Sequence, residues 1–167
     1  MREKAQQTDV WYDYDFKCSR YAILLPGGSV IIYDRMTGEC INRIKGHHYL
    51  YSGGFKPDEA EFFVLENGKH FYVYSAEKHE LLHKVTFPRF YWALDVNGFY
   101  SGDGSLLFVP VKRMDDHYEY RLLKYETENY SLIDSVIIGQ QEQRLIYERR
   151  LPVNKWPQES LGPLGIT

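Results

Sequence analysis

Apolar residues in this chain come in short runs separated by turn residues, and helical periodicity is poor almost everywhere. The runs are β-branched and aromatic, as in Val30-Ile31-Ile32-Tyr33, Phe71-Tyr72-Val73-Tyr74 and Leu106-Leu107-Phe108-Val109, which predicts strands. One pattern recurs three times. In the segments Val30–Ile44, Phe71–Val85 and Leu122–Val136, a strand ends in Tyr33, Tyr74 or Tyr125, and a polar turn follows. A second strand then opens with Cys40-Ile41, Leu81-Leu82 or Leu132-Ile133. Upstream, Phe55-Lys-Pro-Asp-Glu-Ala-Glu-Phe-Phe-Val-Leu65 matches Tyr100-Ser-Gly-Asp-Gly-Ser-Leu-Leu-Phe-Val-Pro110. Each is a strand end, a Pro/Gly-Asp turn and an apolar strand. Pro presets its backbone angle there, Gly accepts positive φ, and Asp bonds the local backbone.

These repeats predict units of four short strands at 10–45, 49–87 and 90–138, after a polar lead at 1–9. A further strand is expected at 144–147 and an extended Pro- and Gly-containing tail at 148–167. The extra length of the third unit falls at 111–119, a charged stretch that reads as a longer exposed hairpin loop. Residues Pro26-Gly27-Gly28 and Glu66-Asn67-Gly68 supply equivalent turns in the first two units.

Composition narrows the class. The chain has 167 residues, which suits one core, and its 16% aromatic content is too apolar to stay solvated. Twenty Lys and Arg against 23 Asp and Glu argue against nucleic acid or an anionic membrane as partner, both of which favour a basic surplus. The first nine residues lack the apolar core of a secretion signal, and no run reaches membrane-spanning length, so a cytoplasmic protein is expected. Cys18 and Cys40 form no CxxC pair and lie in apolar-patterned segments, which predicts reduced core thiols.

The stretch Asp34-Arg-Met-Thr-Gly-Glu-Cys-Ile-Asn-Arg-Ile-Lys-Gly-His47 resembles strand c, turn, strand d and Gly-His of the WD-repeat β-propellers. Phe55-Lys-Pro-Asp58 and Tyr100-Ser-Gly-Asp-Gly104 resemble that family's turn between strands a and b. The family's Trp-Asp is here Tyr33-Asp34, Tyr74-Ser75 and Tyr125-Glu126, and Gly46-His47 occurs once. The resemblance therefore implies a divergent, all-β propeller of about three blades that lacks the family's Asp-His-Ser-Trp hydrogen-bond network. Closed propellers use four to eight blades. Three cannot close a ring, so the open ends need cover from a second copy, from a further segment that supplies the missing blades, or from the tail over a sandwich or open arc. A homo-oligomer, two half-rings completing each other, is the favoured reading.

His79-Glu80-Leu81-Leu82-His83 is a literal HExxH, which on a helix would place His79 and His83 on one face to hold zinc, with Glu80 as general base. The repeat instead sets His79-Glu80 in a turn and Leu81–Val85 on a strand. A strand separates the two histidines by about 13 Å, too far to share one ion. A zinc hydrolase is therefore the alternative to a non-catalytic reading without cofactor. A third reading is a carbohydrate-binding module built on exposed Tyr and Trp.

His47 and His48 read either as a metal or proton-transfer pair or as a strand cap beside an exposed ring. Loops d–a and b–c gather at one rim of a propeller, which makes His47, His48, Tyr49, Phe87, Arg89, Phe90, Tyr91, Arg113, Asp115, Asp116 and His117 the candidate contact residues. Aromatic rings with a polar rim suit protein recognition. The favoured function is accordingly a protein-interaction scaffold for an unidentified protein or its own copy.

Overall fold

In a computed structural model, residues 9–12, 20–25, 27–95, 98–115 and 119–139 are described, with only the backbone for 9–12, 20, 21, 23 and 24. Cys18, Asp116, His117, the strand expected at 144–147 and the tail fall outside the described residues.

The described chain is all β. Strands β1 (Asp9–Tyr12), β2 (Arg20–Leu25), β3 (Ser29–Asp34) and β4 (Cys40–Ile44) form an antiparallel sheet in chain order. A second sheet runs β5 (Leu50–Phe55), β6 (Glu61–Glu66), β7 (His70–Ser75) and β8 (Leu81–Thr86). The third contains β9 (Tyr91–Ala93), β10 (Phe99–Tyr100), β11 (Leu106–Arg113), β12 (Tyr120–Glu126) and β13 (Leu132–Ile137). Here β9 and β10 lie in line along one edge of β11. None of the sheets closes on itself.

The stretch 111–119 is not wholly a loop. Val111 to Arg113 continue β11 and pair with β9, Val111 and Lys112 pair with β12 as well, and Val111 is fully buried. Pro110 tolerates this position because the edge opposite it is broken between Ala93 and Phe99, so its missing N–H forfeits no ladder bond, while its carbonyl accepts from Leu94 N at 3.1 Å. Cys40 is not a core thiol either. It opens the edge strand β4, exposed, with its sulfur 3.8 Å from Asn42 O.

The repeats persist at the level of single hydrogen bonds. A register shift falls at Ile32/Tyr33, Val73/Tyr74 and Lys124/Tyr125, the same place in each hairpin. In each following turn the first residue's N–H bonds the carbonyl five residues on: Asp34 to Glu39, Ser75 to Glu80, Glu126 to Ser131. Side-chain oxygens of Asp34, Ser75 and Glu126 accept backbone N–H groups of the same turns. Residues Gly38, His79 and Tyr130 occupy the positive-φ position, at 70°, 59° and 55°.

Sheets stack face to face. Val30 and Ile32 of the first pack with Phe62, Val64 and Tyr74 of the second. From the other face of the second sheet, Phe63, Leu65, Phe71 and Val73 pack with Leu107, Val109, Leu123 and Tyr125 of the third. The unbroken apolar run on β6 follows from this, since both its faces are covered. Phe99, Phe108, Leu122 and Ile138 form a smaller cluster on the third sheet.

Positive-φ residues also tie sheet to sheet. His79 meets Asn42 of β4 through Nδ1 and Nδ2 at 3.0 Å. One repeat later, the Tyr130 ring lies 5.0 Å from that of His83 on β8, the counterpart of Asn42. Its hydroxyl donates to Glu61 and meets the Tyr100 hydroxyl. Tyr130→Phe should therefore lower stability by about 1–2 kcal/mol, the cost of depriving buried oxygens of a partner, as read by chemical denaturation.

Candidate functional site

The candidate site is built on the loops at one end of the stacked sheets. Turns 27–28 and 67–69, residues 114, 115 and 119, and connections 45–49 and 87–90 lie at that end, because β3, β7 and β12 start there and β4, β8 and β11 finish there. Backbone hydrogen bonds join these loops. Gly28 O accepts from His47 N, Tyr49 O from Asn67 N, Lys69 O from Phe87 N, Gly68 O from Ala93 N, and Phe90 O from Met114 N, all at 2.7–3.2 Å.

His47 lies beneath this rim, its side chain buried between the first two sheets. Its Nδ1 is 3.2 Å from Glu66 Oε2 and its Nε2 is 2.7 Å from the Tyr74 hydroxyl. Glu66 also accepts the Tyr72 hydroxyl at 2.8 Å and the His48 N–H at 3.1 Å. One arrangement satisfies every group: a neutral His47 donates through Nδ1 and accepts from Tyr74 at Nε2. Burial holds the His47 pKa below its usual value, against the pull of the Glu66 hydrogen bond and charge. Burial alone would raise Glu66, but the donors from Tyr72, His48 and His47 bring its carboxyl below the usual range. Burial, with the Glu66 charge behind it, pushes the Tyr74 hydroxyl up to about 12.

A buried hydrogen-bond network of Glu66, His47, Tyr74 and Tyr72 is present, which is not the Asp-His-Ser-Trp set of the WD-repeat family. Two candidate contact residues are corrected here. His47 is consequently a strut and not a contact residue, and Phe87, packed in the core between the second and third sheets, does not face outward either. Glu66 escaped sequence reading because Glu66-Asn67-Gly68 scans as an ordinary turn.

The other candidates do come together. His48, Tyr49, Arg89 and Phe90 are exposed on the joined loops. Tyr91 and Arg113 face each other across β9 and β11. Arg113 is closed by Asp115 at 2.6 Å, and Glu119 is held by Arg121 and by the Tyr91 hydroxyl. Sequence reading missed Met114, 53% exposed beside Phe90. An apolar residue standing alone in a charged loop was the available signal.

The HELLH segment has no helix. His79 sits in a turn and reaches the first sheet at Asn42, whereas His83 on β8 faces Tyr130 of the third. The two rings thus serve opposite neighbours, and the geometry that an HExxH zinc site needs is not formed. Among the described residues no group of three His, Cys, Asp or Glu converges as a metal site. Tyr49 and Tyr51 meet edge to face at 71°, not as the parallel plates of a sugar groove. Among the described residues no helix is long and apolar enough to cross a membrane.

No family model matches the sequence, and no curated protein matches it significantly. Solved structures do share the arrangement. U3-55K, a WD-repeat protein, superposes with a TM-score of 0.63 at 12% identity, over 78% of this chain and 39% of that one. Hydrazine synthase of Kuenenia stuttgartiensis superposes with a TM-score of 0.60 at 15% identity, over 73% of this chain and 35% of that one. The fold is β-propeller-like. At such identities the likeness concerns the fold alone, and the chain spans little more than a third of either solved chain.

Proposed function

We propose that this chain is a non-catalytic, WD-repeat-like scaffold that binds a protein through its rim loops, with each sheet acting as one blade. The observation that carries the reading is the joined rim itself, where Tyr49, Phe90 and Met114 stand 52%, 45% and 53% exposed on loops hydrogen-bonded to one another or to neighbouring turns. Large exposed apolar side chains on a rigid frame are what a protein contact uses as anchors. A photo-crosslinking residue at Tyr49 or Met114 should capture a discrete protein in the producing cell. The same group at Asp58, in a turn at the opposite end of the sheets, should not. Equal labelling from both ends would overturn the reading.

A second observation concerns the open end of the row. Asn42 and His83 are each half-covered by the sheet that follows, but their counterpart on β13, Asp134, is exposed. Ile137 is exposed as well, where β8 has Thr86. A second copy continuing the row, as half of a ring, accounts for both. Light scattering after size exclusion should then give a dimer, weakened by Ile137→Glu. A stable monomer at high concentration would exclude this assembly.

A further inference from the structure

Two cation–ring pairs on the rim are poised for an anionic group. The Arg89 guanidinium lies 4.6 Å from the centre of the Phe90 ring, and the Lys69 ammonium 5.4 Å from that of Trp92. Stacking on a ring holds a guanidinium in place and leaves its in-plane N–H donors outward, where a carboxylate can take two of them. The neighbouring arginines are spent differently: Arg113 is closed by Asp115 and Arg121 by Glu119. Among the described residues no carboxylate pairs with Arg89 or Lys69. The two positions are tied through the hydrogen bond from Phe87 N to Lys69 O. Phe90, moreover, is a bulky residue at φ 74°, a conformation that strains any side chain and that glycine adopts freely. The loop thus keeps an exposed ring at a position where sequence economy would place Gly.

We infer that the occupant of this rim is an acidic peptide segment of another protein, with an apolar residue seated on Phe90 and Met114 and its carboxylates on Arg89 and Lys69. The inference rests on the scaffold reading above and adds the chemistry of the partner. The chain as a whole carries a net charge of −3, so the attraction is local to this rim and not a property of the molecule.

The test uses a fluorescent peptide with a central Leu-Phe flanked by glutamates, its glutamine counterpart, and its Ser-Ser counterpart. The acidic Leu-Phe peptide should bind best, with each counterpart weaker by about tenfold or more. Arg89→Glu should abolish the preference for glutamate. Phe90→Gly should weaken binding by about tenfold while leaving the melting temperature unchanged or higher, because Gly relieves the strained backbone. Equal affinity for the glutamine peptide would overturn the acidic partner and leave the rim reading intact. Binding indifferent to both substitutions, or no binding at all, would overturn the inference at this rim. Competition by a single-stranded oligonucleotide, or loss of self-association in Phe90→Gly, would assign the rim to nucleic acid or to a second copy instead.

Discussion

His47→Ala is expected to lower folding stability by about 2–3 kcal/mol at neutral pH, from lost packing and from buried partners left unsatisfied. Removing the ring takes a donor from Glu66 and an acceptor from Tyr74, both in the seam between the first two sheets. The pH dependence gives a second, more specific readout. The folded His47 pKa lies below that of the unfolded chain, so its contribution is complete above the unfolded value and is lost as pH falls below it. Glu66 acts in the same sense in a lower window, because its folded pKa is also depressed. His70 is lowered as well, by burial first and then by the Lys84 charge, and remains in the variant. The wild-type melting temperature should therefore fall between about pH 7 and pH 5 more steeply than that of His47→Ala. Parallel curves would show that His47 does not titrate as its burial requires.

Gly28→Ala should be more damaging, by upwards of about 3 kcal/mol, measured by urea denaturation. Gly28 has φ 85°, and a Cβ built on it would come within 1.8 Å of the His47 carbonyl oxygen and 2.6 Å of its carbon. These are backbone atoms, which cannot swing aside as a side-chain tip would. Relief requires moving the β4–β5 connection, which also breaks the 3.2 Å bond from His47 N to Gly28 O and pulls His47 from Glu66. Since both substitutions disable one seam, the double variant should lose less than the two separate losses combined. Full additivity would mean that Gly28 and His47 act independently.

The hairpins were legible because their signals are local. A strand ending in Tyr, a turn closed by Asp34, Ser75 or Glu126, and a second apolar start are decided within about fifteen residues. The HELLH spacing by itself suits a helix, but the repeat sets a turn and a strand there, and the structure follows the repeat with a turn and β8. Residues 111–113 misled because charge suggested a loop, whereas pairing on both sides makes a strand. At the site, the clustering of His48, Tyr49, Arg89, Phe90, Tyr91 and Arg113 could be anticipated once the strands alternated in direction. The burial of His47 and Phe87 could not, since a polar ring after Gly46 and an aromatic ring before Pro88 look the same inside or outside.

The sequence by itself determined the strands, their turns and their period, because each depends on residues close together in the chain. Only the tertiary structure decided what the sheets share. Glu66 meets His47 from 19 residues away and Tyr130 meets Glu61 from 69, and these bonds exist because stacking removes the groups from water and leaves them one another. The same stacking selects which aromatic rings are core and which, Tyr49 and Phe90, remain outside.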